Sequence, residues 1–90
     1  MRIYELIVEP GREEHIARHH VAVEEVEEVV FTPSFVRRAR HGYLRLIGQT
    51  AAGRYLAVFV VRRTPGVYSL VTARDATEGE RREYLRHTRH

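Results

Sequence analysis

The spacing of apolar residues changes near the middle of this chain, from a helical period before Pro33 to a strand period after it. A short apolar run at 3–8 suits an edge strand and ends at Pro10-Gly11. Residues 12–19 then predict a short helix with Ile16 facing inward. Valines recurring at helical spacing over 23–30 predict a second helix, with glutamates on its other face. Pro33 closes this helix.

From Phe35 onward the period is two. Four segments rich in Val, Tyr and Phe predict strands, at 35–40, 43–49, 55–63 and 67–73. The breaks between them are only a few residues long, and a parallel crossover needs about a dozen, so we expect antiparallel neighbours.

The last element begins with a capping-box pair, Thr77 and Glu80, and predicts a helix that runs to about Thr88. Its main apolar residues are Tyr84 and Leu85. The helix therefore either lies loosely on the sheet or offers its arginines to a partner or ligand; these are Arg81, Arg82, Arg86 and Arg89. The predicted fold is α+β: two N-terminal helices, a four-stranded antiparallel sheet with the N-terminal run as a candidate extra edge strand, and one C-terminal helix.

Composition narrows the function classes. Ninety residues suggest a single domain over 1–90. The chain has no cysteine, which excludes disulfides, thiolate catalysis and cysteine-based zinc sites. No apolar stretch approaches the roughly 20 residues needed to span a bilayer, and no secretory signal is recognisable, so we expect a cytoplasmic protein.

The charges are segregated along the chain. Residues 1–28 carry three Arg against eight Glu, a net −5, whereas residues 29–74 carry eight Arg and no acid, a net +8. All fifteen cations are Arg. Guanidinium groups hold phosphates through paired hydrogen bonds and stack on bases, so this stretch suggests RNA or DNA as a partner. The alternative is a basic, solvated face without a ligand.

Histidines form a second candidate group. His15 and His19 are four residues apart on the first predicted helix, so both point to one face. They could ligate a metal, but the neighbourhood offers no third ligand at a suitable spacing, and we expect no metal or other cofactor. A structural role at the helix end and a role as general base remain open.

Two further segments could carry chemistry. Arg74 and Asp75 stand where the last predicted strand ends, a place where side chains meet solvent or ligand, although the two could simply form a surface ion pair. Arg81 and Tyr84 are three residues apart and share a face of the last helix, while we expect Glu80 to be occupied by the helix cap.

Five segments in series resemble the BrnT-like toxin family, at 15–19, 24–28, 53–56, 72–76 and 80–84. Their order and spacing hold from about Glu9 to Tyr84. The resemblance implies a fold similar to the RelE toxins and the activity of a ribonuclease toxin in a type II toxin–antitoxin pair. It also implies a small DNA-binding antitoxin, often of ribbon-helix-helix type, that covers the toxin's active surface. The family usually has Gly after the helix-ending His, where this chain has His20, so that helix end must be strained or rebuilt.

The resemblance also implies site residues. The family's helix-ending His corresponds to His19, its strand-end Arg to Arg74, and its final Glu-Arg and Tyr to Glu80-Arg81 and Tyr84. Cleavage without a metal needs a base, cations and an acid. We therefore assign phosphate stabilisation to Arg74 and Arg81, proton transfer to His19, and base stacking or proton transfer to Tyr84. The arginines expected to bind the RNA backbone are Arg37, Arg38, Arg45, Arg54 and Arg62.

Two other classes stay open. One is a module of the same fold that binds RNA or an antitoxin without cutting, which the sparse acid–base groups favour. The other is a structural subunit whose arginines match an acidic partner. Strand alternation also places Arg45 and Arg62 differently, so the arginines cannot all line one groove.

Overall fold

A computed structural model describes residues 2–32 and 34–88. The elements in chain order are β1 (Glu5–Ile7), α1 (Arg12–Ala17), α2 (Val23–Val30), β2 (Phe35–Arg38), a 3₁₀ turn (Arg40–Gly42), β3 (Leu44–Gln49), β4 (Tyr55–Thr64), β5 (Val67–Asp75) and α3 (Glu78–Thr88). All predicted elements are present. The expectations for Pro33 and Arg89 concern residues outside the described ranges.

The five strands form one sheet in the order β1-β5-β4-β3-β2. The three short connections join antiparallel neighbours, as predicted. The N-terminal run is indeed an edge strand, and it pairs parallel to β5, with Glu5 opposite Val67. Because β1 pairs only with Val67–Ser69, the rest of the β5 edge is covered by α1. There Arg12 donates to the Val71 carbonyl at 3.0 Å.

The main core lies between the sheet and the pair α1 and α2. Ile16, Val26 and Val29 are fully buried there against strand residues such as Leu56 and Val58. Gly48 allows the close approach of α2, because a Cβ at this position would lie 2.9 Å from a methyl group of Val29. The helix α3 covers the other face of the sheet, where it contacts β2 and β3. The sheet is therefore a middle layer with unequal cover on its two sides.

Three strands begin or end two residues away from their predicted bounds. The strand predicted over 35–40 ends at Arg38, because the chain turns at His41 (φ 61°) and Gly42 (φ 75°), both in the left-handed region. The strand predicted over 67–73 continues to Asp75, since Ala57 and Leu56 of β4 pair with Arg74 and Asp75. The edge strand predicted over 3–8 is shorter and spans Glu5–Ile7.

The end of α1 keeps a left-handed cap although His20 stands where the family usually has glycine, so of the two predicted outcomes the helix end is strained and not rebuilt. His20 adopts φ +59°, a left-handed conformation that is uncommon outside glycine and asparagine. Its N–H donates to the Ala17 carbonyl at 2.9 Å, and the Val21 N–H donates to the Ile16 carbonyl at 3.2 Å. This pair of bonds, with buried Ile16 and Val21 packed in the core, is a Schellman motif. The regular helix ends at Ala17, two residues before the predicted end.

Within the described ranges, no helix combines the length and apolar character needed to cross a bilayer.

Candidate nucleic-acid interface

The α3 side of the sheet carries a cluster of arginines around one aromatic ring. In the strand register Arg37 lies opposite Arg45, Arg45 opposite Phe59, and Arg74 opposite Ala57, two residues from Phe59 on β4. Alternation therefore points these side chains to one face. The Arg74 guanidinium lies 5.3 Å from the centre of the half-buried Phe59 ring, within cation–π range. Sequence reasoning missed Phe59, although its placement between arginines on neighbouring strands follows from the meander register.

Glu80 holds the centre of this cluster. Its carboxylate accepts two hydrogen bonds from Arg74, at 2.7 and 3.1 Å, and one from Arg45 at 3.1 Å. The predicted capping box is present as well, with Thr77 and Glu80 bonding to each other's backbone N–H at 3.1 and 2.8 Å. Glu80 is therefore not occupied by the cap alone. It is 5 % exposed, and it ties α3 to the sheet through both arginines.

The ionisation of this group follows from these contacts. Burial alone would raise the pKa of Glu80, but the hydrogen bonds from Arg74 and the Thr77 backbone, with the charges of Arg74 and Arg45, bring it below the ordinary value of 4.5. The hydrogen bond to Glu80 in turn raises the pKa of Arg74, against the effect of burial. At neutral pH the pair is a carboxylate and a guanidinium.

A second carboxylate, Glu83, stands between the arginines of β2 and β3. It accepts a hydrogen bond from Arg45 at 3.4 Å and lies 3.9 Å from Arg37. The Nε–H of Arg45 is buried and has no hydrogen-bond partner among residues 2–32 and 34–88. Arg45 is thus clamped by two carboxylates, whereas Arg37 stays exposed.

Arg81 and Tyr84 share a face of α3, as predicted, and both contact Tyr55 at the start of β4. The Arg81 guanidinium lies 4.4 Å above the centre of the Tyr55 ring, and the Tyr84 ring meets that ring edge-on at 5.9 Å. Arg81 is exposed, and no ion pair or hydrogen bond within the described ranges engages its guanidinium. It is therefore available to an anionic ligand.

A surface cavity of about 380 Å³ opens at one end of the arginine face. Its lining consists of basic and aromatic side chains with one alanine, namely Arg37, Arg38, Ala39, Arg40, Tyr43, Arg45 and Phe59. No acidic residue lines it. The cavity combines guanidinium donors with aromatic surface, which suits a phosphate joined to a base.

Arg54 lies away from this face and holds the α1–α2 turn. It donates to the carboxylates of Asp75, at 2.8 Å, and Glu25, at 3.1 Å. It also donates to the carbonyls of His19 and His20. One expectation is corrected here. Asp75 pairs with Arg54 and Arg74 with Glu80, so the neighbours Arg74 and Asp75 do not form a side-chain ion pair with each other.

The other arginines predicted to bind the RNA backbone are divided between the two faces of the sheet. Arg62 lies opposite Tyr68 and on the same face of β4 as the core residues of that strand. It therefore projects on the α1–α2 side, at the end of the sheet. Arg38 likewise shares its face with Val36. Of the five arginines, Arg37 and Arg45 lie on the face that contains Arg74. This split agrees with the expectation that one groove cannot hold all of them.

The histidines lie at the β5 edge. A ring nitrogen of His15 is 3.0 Å from the Thr72 hydroxyl, and the His19 ring meets that of His15 edge-on at 5.9 Å. Thr72 lies opposite Phe59. Within residues 2–32 and 34–88, no hydrogen bond or ion pair joins His19 to Arg74 or Arg81, and no three His, Asp or Glu side chains are grouped as metal ligands.

Comparison with known proteins gives one informative likeness. No protein-family model matches the chain, and no curated protein sequence matches it. Among solved structures, the chain is similar to the 1.1 Å crystal structure of the Brucella abortus ribonuclease toxin, BrnT. The TM-score is 0.66 at 21% identity, and the alignment covers 82% of this chain and 97% of that chain. The BrnT-like α+β fold predicted from the sequence is thereby confirmed.

Proposed function

We propose that this protein is the ribonuclease toxin of a type II toxin–antitoxin pair and acts in the cytoplasm. The observation that carries the proposal is the face built from Arg37, Arg45, Arg74, Phe59 and the α3 residues above them, on a fold similar to that of a ribonuclease toxin. Arginines and aromatic rings on one open sheet surface suit a single-stranded RNA.

Phosphate stabilisation falls to Arg74 and Arg81. Arg74 has five N–H donors, and its bonds to Glu80 and to the Asp75 carbonyl use three of them. The Nε–H and one Nη2–H remain for a phosphorane oxygen. Arg81 has its whole guanidinium fork free within the described ranges and rests on Tyr55. An arginine held in place before the substrate arrives stabilises developing charge without reorganisation.

The bases on either side of the scissile phosphate would stack on Phe59 and Tyr84. Both rings are partly exposed on the face that carries Arg74 and Arg81. Stacking on aromatic rings tolerates any base and contributes about 1–3 kcal/mol per base. Among the arginines expected to bind the RNA backbone, Arg37 and Arg45 share the face of the sheet that carries Phe59. Arg38 and Arg62 would bind RNA that wraps around the edges of the sheet, and Arg54 supports the fold.

Proton transfer falls to His19, with His15 beside it at the β5 edge. Thr72, which binds His15, projects two residues before Arg74 on the same strand. RNA lying across Phe59 would therefore pass close to these imidazoles. Glu80 is unsuited to act as the base, because its pKa below 4.5 makes it a weak proton acceptor at neutral pH. The mechanism requires no metal.

The expected partner is a small DNA-binding antitoxin of ribbon-helix-helix type, which would silence the toxin by covering the arginine face. A non-catalytic RNA- or antitoxin-binding module is the second candidate. One observation favours it: Arg45 and Arg74 are already paired with carboxylates, and His19 has no bonded contact with them in the described part of the chain.

Induced expression in a bacterium tests the proposal. We expect growth arrest that is rescued by co-expression of the small open reading frame beside the gene, and lost with Arg81→Ala. Arg81 is the preferred position because its removal breaks no ion pair of the described residues. Arg82→Ala, an exposed neighbour on the same helix, is the matched control and should still arrest growth. Unimpaired growth with the unmodified chain, produced in soluble form, would contradict the toxin assignment.

A further inference from the structure

The strand β2 ends the sheet and leaves its outer edge without a pairing strand in the described part of the chain. The Ala39 N–H donates to the Tyr43 carbonyl at 2.8 Å. Because hydrogen-bonded and non-bonded pairs alternate along an antiparallel ladder, Phe35 and Arg37 also bond inward. The N–H and C=O groups of Val36 and Arg38 therefore point outward. An edge of this kind can pair with an added strand.

A groove of about 660 Å³, lined by both apolar and polar side chains, runs beside this edge on the α1–α2 side. Its apolar lining comes from four elements or their flanks and includes Ile3, Tyr4, Val30, Phe31, Val36 and Leu46. Tyr4 is 70 % exposed and Phe31 49 %, the two largest exposed apolar side chains by fraction among the described residues. Val36 faces the groove from β2, so a strand added there would place alternate side chains into it.

The charge around the edge is mainly positive, with one carboxylate, Glu83 of α3, 3.9 Å from Arg37. Arg37, Arg38 and Arg40 are all exposed at or next to β2, and Arg2 lines the groove. No acidic residue lines either the groove or the arginine cavity on the other side of the strand. Antiparallel pairing of two copies of β2 would bring these arginines together across the interface, which disfavours a second copy of this chain as the occupant. The complementary ligand is an acidic segment.

We propose that β2 receives an extended acidic segment of a partner protein as a sixth strand. The segment bonds to the outward backbone groups of Val36 and Arg38. It places an apolar side chain opposite Val36, into the groove, and an acidic side chain opposite Arg37, on the other face of the strand. This proposal does not depend on RNA cleavage, because it uses only the sheet edge, the groove and the surrounding charge.

A peptide of alternating Ile and Glu, about ten residues long, is the probe. It is added to the ¹⁵N-labelled full chain, and amide shifts are followed by NMR. We expect the shifts to concentrate at Val36, Arg38, Tyr4 and Phe31. A peptide with Lys in place of Glu should not bind. Two further peptides carry N-methyl groups, one on its Ile amides and the other on its Glu amides. In one of the two, the methyl groups must point at β2 and block its hydrogen bonds. That peptide should bind at least about tenfold more weakly than the unmethylated one.

Charge reversal supplies the matched variants. Arg37→Glu should weaken binding about tenfold, since it removes an attraction and adds a repulsion at the edge. Arg37 is exposed, and the spectrum itself reports whether the variant is folded. Arg18→Glu, on α1 beyond the opposite edge of the sheet, should bind as the unmodified chain does. Absence of shifts at about 1 mM peptide, unchanged binding of both methylated peptides, or dimerisation of the free chain through β2 would each overturn the proposal.

Discussion

At the scale of single residues, one carboxylate organises the arginine face. Glu80 caps α3, accepts a paired hydrogen bond from Arg74 and a third from Arg45, and is almost fully buried. Removing one partner of a buried ion pair costs more than the pair contributes, because the remaining charges lose their compensation. Glu80 therefore acts on the site by positioning the arginines.

We expect Glu80→Gln to lower the free energy of unfolding by about 2–3 kcal/mol at neutral pH. The folded-state pKa of Glu80 lies below 4.5, so the stabilisation it provides is present above pH 4.5 and is lost as the pH falls through the folded-state value. Urea unfolding of the variant should therefore depend less on pH in the acid range than that of the unmodified chain. Glu78→Gln, an exposed position two residues earlier on the same helix, should leave both quantities nearly unchanged. Equal pH dependence in the Glu80 variant and the unmodified chain would refute this role.

At the scale of elements, the turn between α1 and α2 depends on His20 in a left-handed conformation and on Arg54. Arg54 donates hydrogen bonds to two carbonyls that the end of α1 leaves unpaired. It also forms ion pairs with Glu25 and Asp75, which fix the turn in place. His19 belongs to this same turn. The position of the proposed proton-transfer group is therefore set by the β3–β4 hairpin through Arg54.

His20→Gly should raise the free energy of unfolding by about 0.5–1 kcal/mol, because glycine adopts φ +59° without a steric penalty. His20→Ala is the control. It removes the same imidazole but keeps a Cβ, so no gain is expected. Chemical denaturation of the three chains side by side measures the difference. A glycine variant no more stable than the alanine variant would show that the left-handed residue is not strained.

At the scale of the whole molecule, the fold could be predicted and the site only in part. The change from helical to strand period was sufficient to predict the order of the elements. The short connections between strands were sufficient to predict the antiparallel meander. The partners of the charges could not be predicted, because Arg74 meets Glu80 and Arg54 meets Asp75 only after β5 and α3 are packed. Phe59 was missed for the same reason: its place between arginines depends on the register of three strands.

The most direct test of the ribonuclease assignment is cleavage of single-stranded RNA by the purified protein in the presence of EDTA. We expect cleavage that chelation does not reduce, a loss of activity of at least about 100-fold with Arg81→Ala, and unchanged activity with Arg82→Ala. Thermal unfolding of each variant shows whether the fold is retained. RNA that binds but is never cut, or cleavage abolished by EDTA, would contradict metal-independent catalysis on the arginine face.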